Sequence, residues 1–336
     1  MRSVSRLFPS LLAALAACSD GARSGEPRDV GGSVVHDGGA DPSDASAPDA
    51  FDGSRDGALD ATSVEDAGPS VIPCVAPADE EACNGSRALC DRTYDAVSYA
   101  TTHNAMSNAD EGWSLPNQQH GIRRQLDDGI RGLMLDVHEG RRGPLLCHGL
   151  CAAGQKPLVD GLREIRAFLE CRPRDVVTIV FESSVPASDV ARAFGESGLD
   201  RFVHTQALGA PWPTLGAMAS AGRTLVVFTD ADPGTPAWYH DAWRYTWQNP
   251  YAAETADDFD CRPDRGDSDA GIFVMNHFLT APFASRELAE QVNHNPLLRD
   301  RVFGCRDETG ARPVLVTIDF YDIGDVLEVV EELNQE

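Results

Sequence analysis

Gly129-Ile130-Arg131-Gly132-Leu133-Met134-Leu135-Asp136 is an apolar, strand-like run that ends in a carboxylate. Working outward, an earlier run closes on Thr101-Thr102-His103-Asn104, and a later one reads Leu145-Leu146-Cys147-His148-Gly149. Val177-Thr178-Ile179-Val180-Phe181-Glu182 is rich in β-branched residues and again stops at an acid. Strand-like patterning recurs over 96–102, 130–137, 144–148, 176–182, 201–205, 224–229, 244–247, 272–276 and 314–320. Between several of these, apolar residues return at three-and-four spacing, as in Leu158, Leu162, Ile165 and Leu169, which predicts amphipathic helices over 157–169, 189–196, 285–292 and 322–333. Strand and helix in alternation call for a mostly parallel sheet. The chain beyond Cys83 has the size of one eight-stranded α/β barrel. Nine candidate strands compete for eight places, so one is an extra strand or a false reading. The rival, an open doubly wound sheet, lacks a Gly-rich phosphate loop after an early strand.

In such a barrel the chemistry sits at the C-terminal strand ends. His103, Asp136, His148, Glu182 and Asp319 all fall at such ends. Two imidazoles titrate near neutral pH, so one can remove a proton from an attacking hydroxyl while the other protonates a leaving oxygen. His103 is the candidate base and His148 the candidate acid, with Asp319 placed to orient an imidazole. Asn104, Asp136 and Glu182 offer oxygen donors suited to a hard cation such as Ca²⁺. His138 lies two residues beyond Asp136 and therefore on the same side. His138, Lys156, Trp247, Asn276 and Asp322 are the candidate substrate contacts. Arg131, five residues before Asp136, alternates to the opposite face and reads as structural. Trp113, in the loop after the first strand, reads as a ring that pins this loop to the barrel, with a pocket wall or a lipid contact as the alternatives.

The two ends of the chain carry a different message. Arg2 and Arg6 precede an apolar stretch that closes on Leu15-Ala16-Ala17-Cys18, which is similar to a bacterial lipoprotein cleavage box. Residues 1–18 are therefore expected to be a lipoprotein signal peptide. The resemblance implies lipidation of Cys18, membrane attachment, and an exported protein at the cell envelope or surface, Ser19 favouring the outer membrane. Residues 19–72 form an acidic Ala/Asp/Ser/Gly-rich linker, with 12 Asp or Glu against three Arg over 20–70. It has too little apolar surface to offset its ordering entropy and is expected to be disordered. Residues 73–336 are the folded domain. Eight cysteines remain after Cys18, an even number in an exported chain, which suggests disulfides. Cys147 with Cys151 brackets His148. Cys261 pairs plausibly with Cys305, and Cys74, Cys83 and Cys90 form a clasp with one member reaching Cys171. The formal charge of −25 argues against nucleic acid as a partner.

Thr102-His103-Asn104, Gly129 to Asp136, Cys147-His148-Gly149, Val177 to Glu182 and Asp319-Phe320-Tyr321-Asp322, in this order, resemble the phosphatidylinositol-specific phospholipase C catalytic superfamily, its X-domain-like, secreted bacterial and fungal PLC-like phosphodiesterase branch. The resemblance implies a distorted TIM (β/α)8 barrel and two-histidine chemistry at His103 and His148 on phosphatidylinositol or a related inositol phosphodiester. In the calcium-dependent branch it maps ligands onto Asn104, Asp136 and Glu182, with a further acid where this chain has Met134. The metal-independent branch has an arginine at the place of Asp136, and this chain does not. Calcium is thus expected with one carboxylate missing, Asp319 or His138 compensating or binding being weak. The alternatives are a metal-dependent glycerophosphodiester or sphingomyelin-type phosphodiesterase, against which Met134 speaks, and a non-catalytic, surface-anchored ligand-binding lipoprotein.

Overall fold

The computed structural model describes residues 74–336. The signal segment, Cys18 and the linker 19–72 lie outside the described residues. Eleven strands form one sheet: β1 Tyr99–Thr102, β2 Gly132–His138, β3 Leu145–Leu146, β4 Lys156–Pro157, β5 Val177–Ser183, β6 Leu225–Thr229, β7 Tyr239–Asp241, β8 Thr246–Gln248, β9 Arg265–Gly266, β10 Ile272–Asn276 and β11 Pro313–Ile318. Eight of them pair in parallel in the order β7-β6-β5-β2-β1-β11-β10-β8. That is chain order wrapped into a circle, with β11 closing on β1. β3, β4 and β9 are antiparallel additions.

The circle is not closed by hydrogen bonds. Among the described residues β7 and β8 do not pair, and only the four-residue helix Ala242–Tyr245 separates them. A parallel neighbour needs a crossover of about a dozen residues to bring the chain back. Four residues let it run on instead, so the barrel stays open there. The distorted TIM barrel expected from the sequence is thus an α/β sheet curled around with one open seam.

Three strand expectations change. Residues 144–148 supply β3, the extra strand, which turns back on β2 because no helix separates them. Residues 201–205 are a short turn, Asp200–Phe202, with a single bridge from Val203 to Leu225. β7 takes the missing barrel place, its three residues being too few to show alternation. The strand expected over 244–247 begins as helix and becomes extended only at Thr246. The predicted helices appear as Leu158–Cys171, Ala187–Ser197, Arg286–Val292 and Val326–Gln335.

The helix Leu158–Cys171 shows why the pattern works. Leu158, Leu162, Ile165 and Leu169 are fully buried against the sheet, each contributing about 1.5–3 kcal/mol by leaving water. Between β1 and β2 the fit is tighter still. A Cβ on Gly132 would stand 2.1 Å from Thr101 Oγ1, so only glycine lets these strands approach. The disulfides are Cys74–Cys171, Cys83–Cys90, Cys147–Cys151 and Cys261–Cys305; the last two are the expected pairs, and Cys74 is the clasp member that reaches Cys171. Arg131 faces away from the barrel mouth. Its guanidinium donates to Asp175 at 2.7 Å and lies over the Phe168 ring, both partners of the ion pair being buried.

Candidate active site

β1, β2, β5, β6 and β11 end at one mouth, and their parallel register brings the residues just past their ends level with one another. His103 is the residue after β1. Its backbone N–H donates to Ile318 O at 2.9 Å, while Ala105 N–H donates to Met134 O at 2.9 Å, so this corner is sewn between β11 and β2. Asn104, between them, is buried and has a φ of 47°, a left-handed conformation that asparagine tolerates better than most residues.

The His103 ring stacks on Phe278 at 4.0 Å between centroids. Its Nδ1 lies 3.0 Å from Asp319 Oδ1, which also accepts from Asn117 Nδ2 at 3.0 Å. Asp319 thus holds Nδ1–H and leaves the Nε2 lone pair toward the pocket, the tautomer a base requires. Across the mouth, His148 Nδ1 lies 2.7 Å from Asp136 Oδ2. The hydrogen bond to Asp136 raises this imidazole above its ordinary value; burial opposes, and the charges of Asp136, Glu182 and Asp319 add to the rise. The ring centroids of His103 and His148 are 6.4 Å apart, close enough for one phosphoryl group to meet both.

Asn104 stands between the two halves. With His103 neutral, Asn104 Nδ2 donates to His103 Nε2 at 3.1 Å, and its carbonyl oxygen then faces the Asp136 carboxylate. Turned over, the amide satisfies both neighbours: its oxygen accepts from His103 Nε2 at 3.1 Å and from His148 Nδ1 at 3.3 Å, and its nitrogen donates to Asp136 at 3.1 and 3.3 Å.

Glu182 pairs in register with Asp136 on the neighbouring strand. Although it opens to solvent, protein around its carboxyl raises it above the ordinary range, and Asp136 and Asp230 push the same way. Asp230, one residue past β6, accepts from Ser183 N–H at 2.9 Å. Burial is the main cause of its raised value as well. The sequence reading passed over Asp230. The rule that picked Asp136 and Glu182, an acid at the C-terminal end of a strong apolar run, picks it too. Phe278, Asn117 and Gln118 were also passed over. Gln118 Nε2 donates to His103 O at 2.8 Å and Ile318 O at 3.1 Å, buttressing the corner. Nothing in a loop sequence marks these as supports.

The candidate substrate contacts fare differently. His138 stays at the rim, where Ser184 Oγ lies 3.5 Å from its Nδ1. The other four have their surfaces committed elsewhere. Lys156 is held by Glu111 and Glu164, both at 2.7 Å. Trp247 is buried and stacked on Phe273 at 3.8 Å, because neighbouring strands β8 and β10 set their rings side by side. Asn276 is buried, donating to Gln248 Oε1 at 3.1 Å and Asn249 O at 2.9 Å. Asp322 pairs with Arg286 at 2.8 Å.

The PI-PLC X family model matches residues 89–334. The chain belongs to the PI-PLC X family. A PI-PLC X domain-containing protein of Arabidopsis thaliana is 30% identical over 72% of this chain and 62% of its own length. This chain thus spans less than two thirds of that relative. PI-PLC X domain-containing protein 1 of Arthroderma benhamiae is 26% identical over 78% of this chain and 92% of its own length. A further protein of that fungus, 26% identical over 77% of this chain and 65% of its own length, is named an uncharacterized secreted protein. Among solved structures, the phosphatidylinositol-specific phospholipase C of Listeria monocytogenes superposes with a TM-score of 0.51 at 15% identity, over 73% of this chain and 94% of that one. At that identity the likeness is one of fold. Family and fold are those of a PI-PLC-like catalytic domain.

Proposed function

We propose that this chain cleaves phosphatidylinositol or a related inositol phosphodiester by general acid–base catalysis with two histidines. One observation carries the reading: the His103 and His148 rings share a mouth, 6.4 Å between centroids, each held at Nδ1 by its own carboxylate. His103 Nε2 takes the proton of a substrate hydroxyl beside the diester. That oxygen bonds to phosphorus, the bond from phosphorus to the leaving alcohol breaks, and His148 Nε2 gives its proton to the departing oxygen. The products are a cyclic phosphodiester and a free alcohol. Running the roles in reverse with water opens the ring.

Asn104, Asp136 and Glu182 supply the hard oxygen donors Ca²⁺ prefers. Among the described residues no group of three or more His, Cys, Asp or Glu is placed to hold a metal ion, so the cation reading rests on the donor chemistry of Asn104, Asp136 and Glu182. When bound, such an ion would offset charge growing on the phosphoryl oxygens. For location, we read an exported protein held at the cell envelope through Cys18. Export agrees with the relative named as secreted, while the lipid anchor and an outer-membrane address rest on Leu15-Ala16-Ala17-Cys18 alone, the relatives above being eukaryotic.

The test is release of inositol phosphates from labelled phosphatidylinositol. His103→Ala and His148→Ala are each expected to lower the rate by about 10²–10⁴-fold. Equal rates in wild type and both variants would remove the two-histidine mechanism. Chelation followed by Ca²⁺ in the same assay decides the cation, unchanged rates eliminating it.

A further inference from the structure

His103 and His148 are held in very different ways. His103 has a stacked ring, a buttressed carbonyl and a backbone bond to β11, with Ala105 two residues on bonded to β2. The His148 side chain is half exposed. One edge bonds to Asp136 and the other faces the pocket, so its place depends on the backbone of residues 147–155, which have no strand and only one short turn, Cys151–Ala153. That segment and the β4 residue that follows it are tied to their surroundings, starting with the Cys147 N–H that donates to Asp136 O at 3.3 Å. Cys147–Cys151 closes a loop around His148. Ser114 N–H, on the loop after β1, donates to Ala153 O at 2.7 Å. The buried Trp113 ring lies so flat on Gly154 that a Cβ there would stand 2.3 Å from Trp113 Cδ2. Lys156 joins Glu111 of that same β1 loop to Glu164 of the helix Leu158–Cys171. Burial would lower the Lys156 ammonium, but Glu164 and Glu111 more than offset it, and its net shift is upward.

Three of these ties run between the loop that starts at His103 and the loop that carries His148. We propose that Trp113 and Lys156, together with the Cys147–Cys151 disulfide, are positioning residues that hold the proton-donating imidazole at its working distance from the base. The proposal rests on His148 being the general acid, and it assigns Lys156 a role other than substrate contact. The physical stake is large, since a displacement of about 1 Å can cost about 10²-fold in rate.

The test uses leaving-group chemistry, which separates positioning from mere stability. Two water-soluble inositol phosphodiesters are compared on the full chain, one with an alkyl alcohol as leaving group and one with 4-nitrophenol. The alkoxide needs a proton as it departs; the nitrophenolate does not. His148→Ala is the reference and should lose alkyl-ester cleavage while keeping most nitrophenyl-ester cleavage. Trp113→Ala, Lys156→Met and the Cys147→Ser/Cys151→Ser pair are expected to follow it, losing about 10–100-fold on the alkyl ester and under about 3-fold on the nitrophenyl ester. Trp113→Phe keeps a ring over Gly154 and should restore the alkyl rate. Thermal melts identify any variant that fails to fold, and Lys156→Met, the mildest of the disrupting changes, then decides the matter. Equal losses on both substrates, or none, would overturn the positioning role. Equal losses in His148→Ala would overturn the general-acid assignment itself. A wild type that cleaves neither ester would remove the function and the proposal together.

Discussion

Two histidines away from the His103–His148 mouth show how neighbours decide what an imidazole does. His240 is buried, accepts from Gln206 N–H at 2.9 Å and faces Val227 O; burial holds it below its ordinary value. His277 goes further. Its Nε2–H donates to Val292 O at 2.9 Å, Arg301 Nη1 donates to its Nδ1 at 2.9 Å, and burial first, then the Arg301 charge, lowers it from 6.5 to about 3. Above pH 6.5 the ring is neutral in both folded and unfolded chain and adds no pH dependence. Below 6.5 only the unfolded chain takes the proton, so stability falls with decreasing pH until about pH 3. The slope is about 1.4 kcal/mol per pH unit. Urea midpoints at pH 7 and pH 4.5 should therefore lie closer together in His277→Gln than in wild type. An unchanged gap would mean the ring is not held neutral.

Among the elements, β1 and β2 are packed closely against each other. Both strands are buried nearly throughout, and Thr101 sits where a side chain at 132 would go. Gly132→Val is expected to cost at least about 1–3 kcal/mol through overpacking. It should also lower activity, because β1 delivers His103 and β2 delivers Asp136 to the mouth. A variant with wild-type melting and turnover would show that the strands can part. β3 teaches a different lesson. It is too short to be a barrel strand, yet it turns the chain back from β2 and so places His148 opposite His103.

For the molecule as a whole, the two barrel ends have separate duties. Cys74–Cys171 joins the N-terminal extension to the end of the helix that leads into β5, at the face away from the mouth. It closes a loop of 97 residues, for which chain entropy and typical measurements give about 2–5 kcal/mol. Cys74→Ser/Cys171→Ser is expected to lower the melting temperature while leaving turnover of a soluble diester unchanged below it. A fall in turnover at low temperature would show that the extension reaches the site.

Local pattern settled much of this protein. Strand runs leading to His103, Asp136 and Glu182 were legible because a parallel strand buried on both faces reads as a stretch of apolar and β-branched residues, with an imidazole or carboxylate at its far end. The helix Leu158–Cys171 announced itself by period, and the disulfides by even number and spacing. What the pattern could not carry was anything decided across the barrel. The open seam results from how short the link between β7 and β8 is, and β7 itself is too brief for periodicity. Lys156, Asn276, Trp247 and Asp322 looked available because a sequence shows charge and polarity but not partners. Glu111, Glu164, Asn249, Phe273 and Arg286 meet them only after the chain has folded. The convergence of two imidazoles 45 residues apart in the chain is likewise a tertiary fact, produced by the parallel register and by the turn at β3.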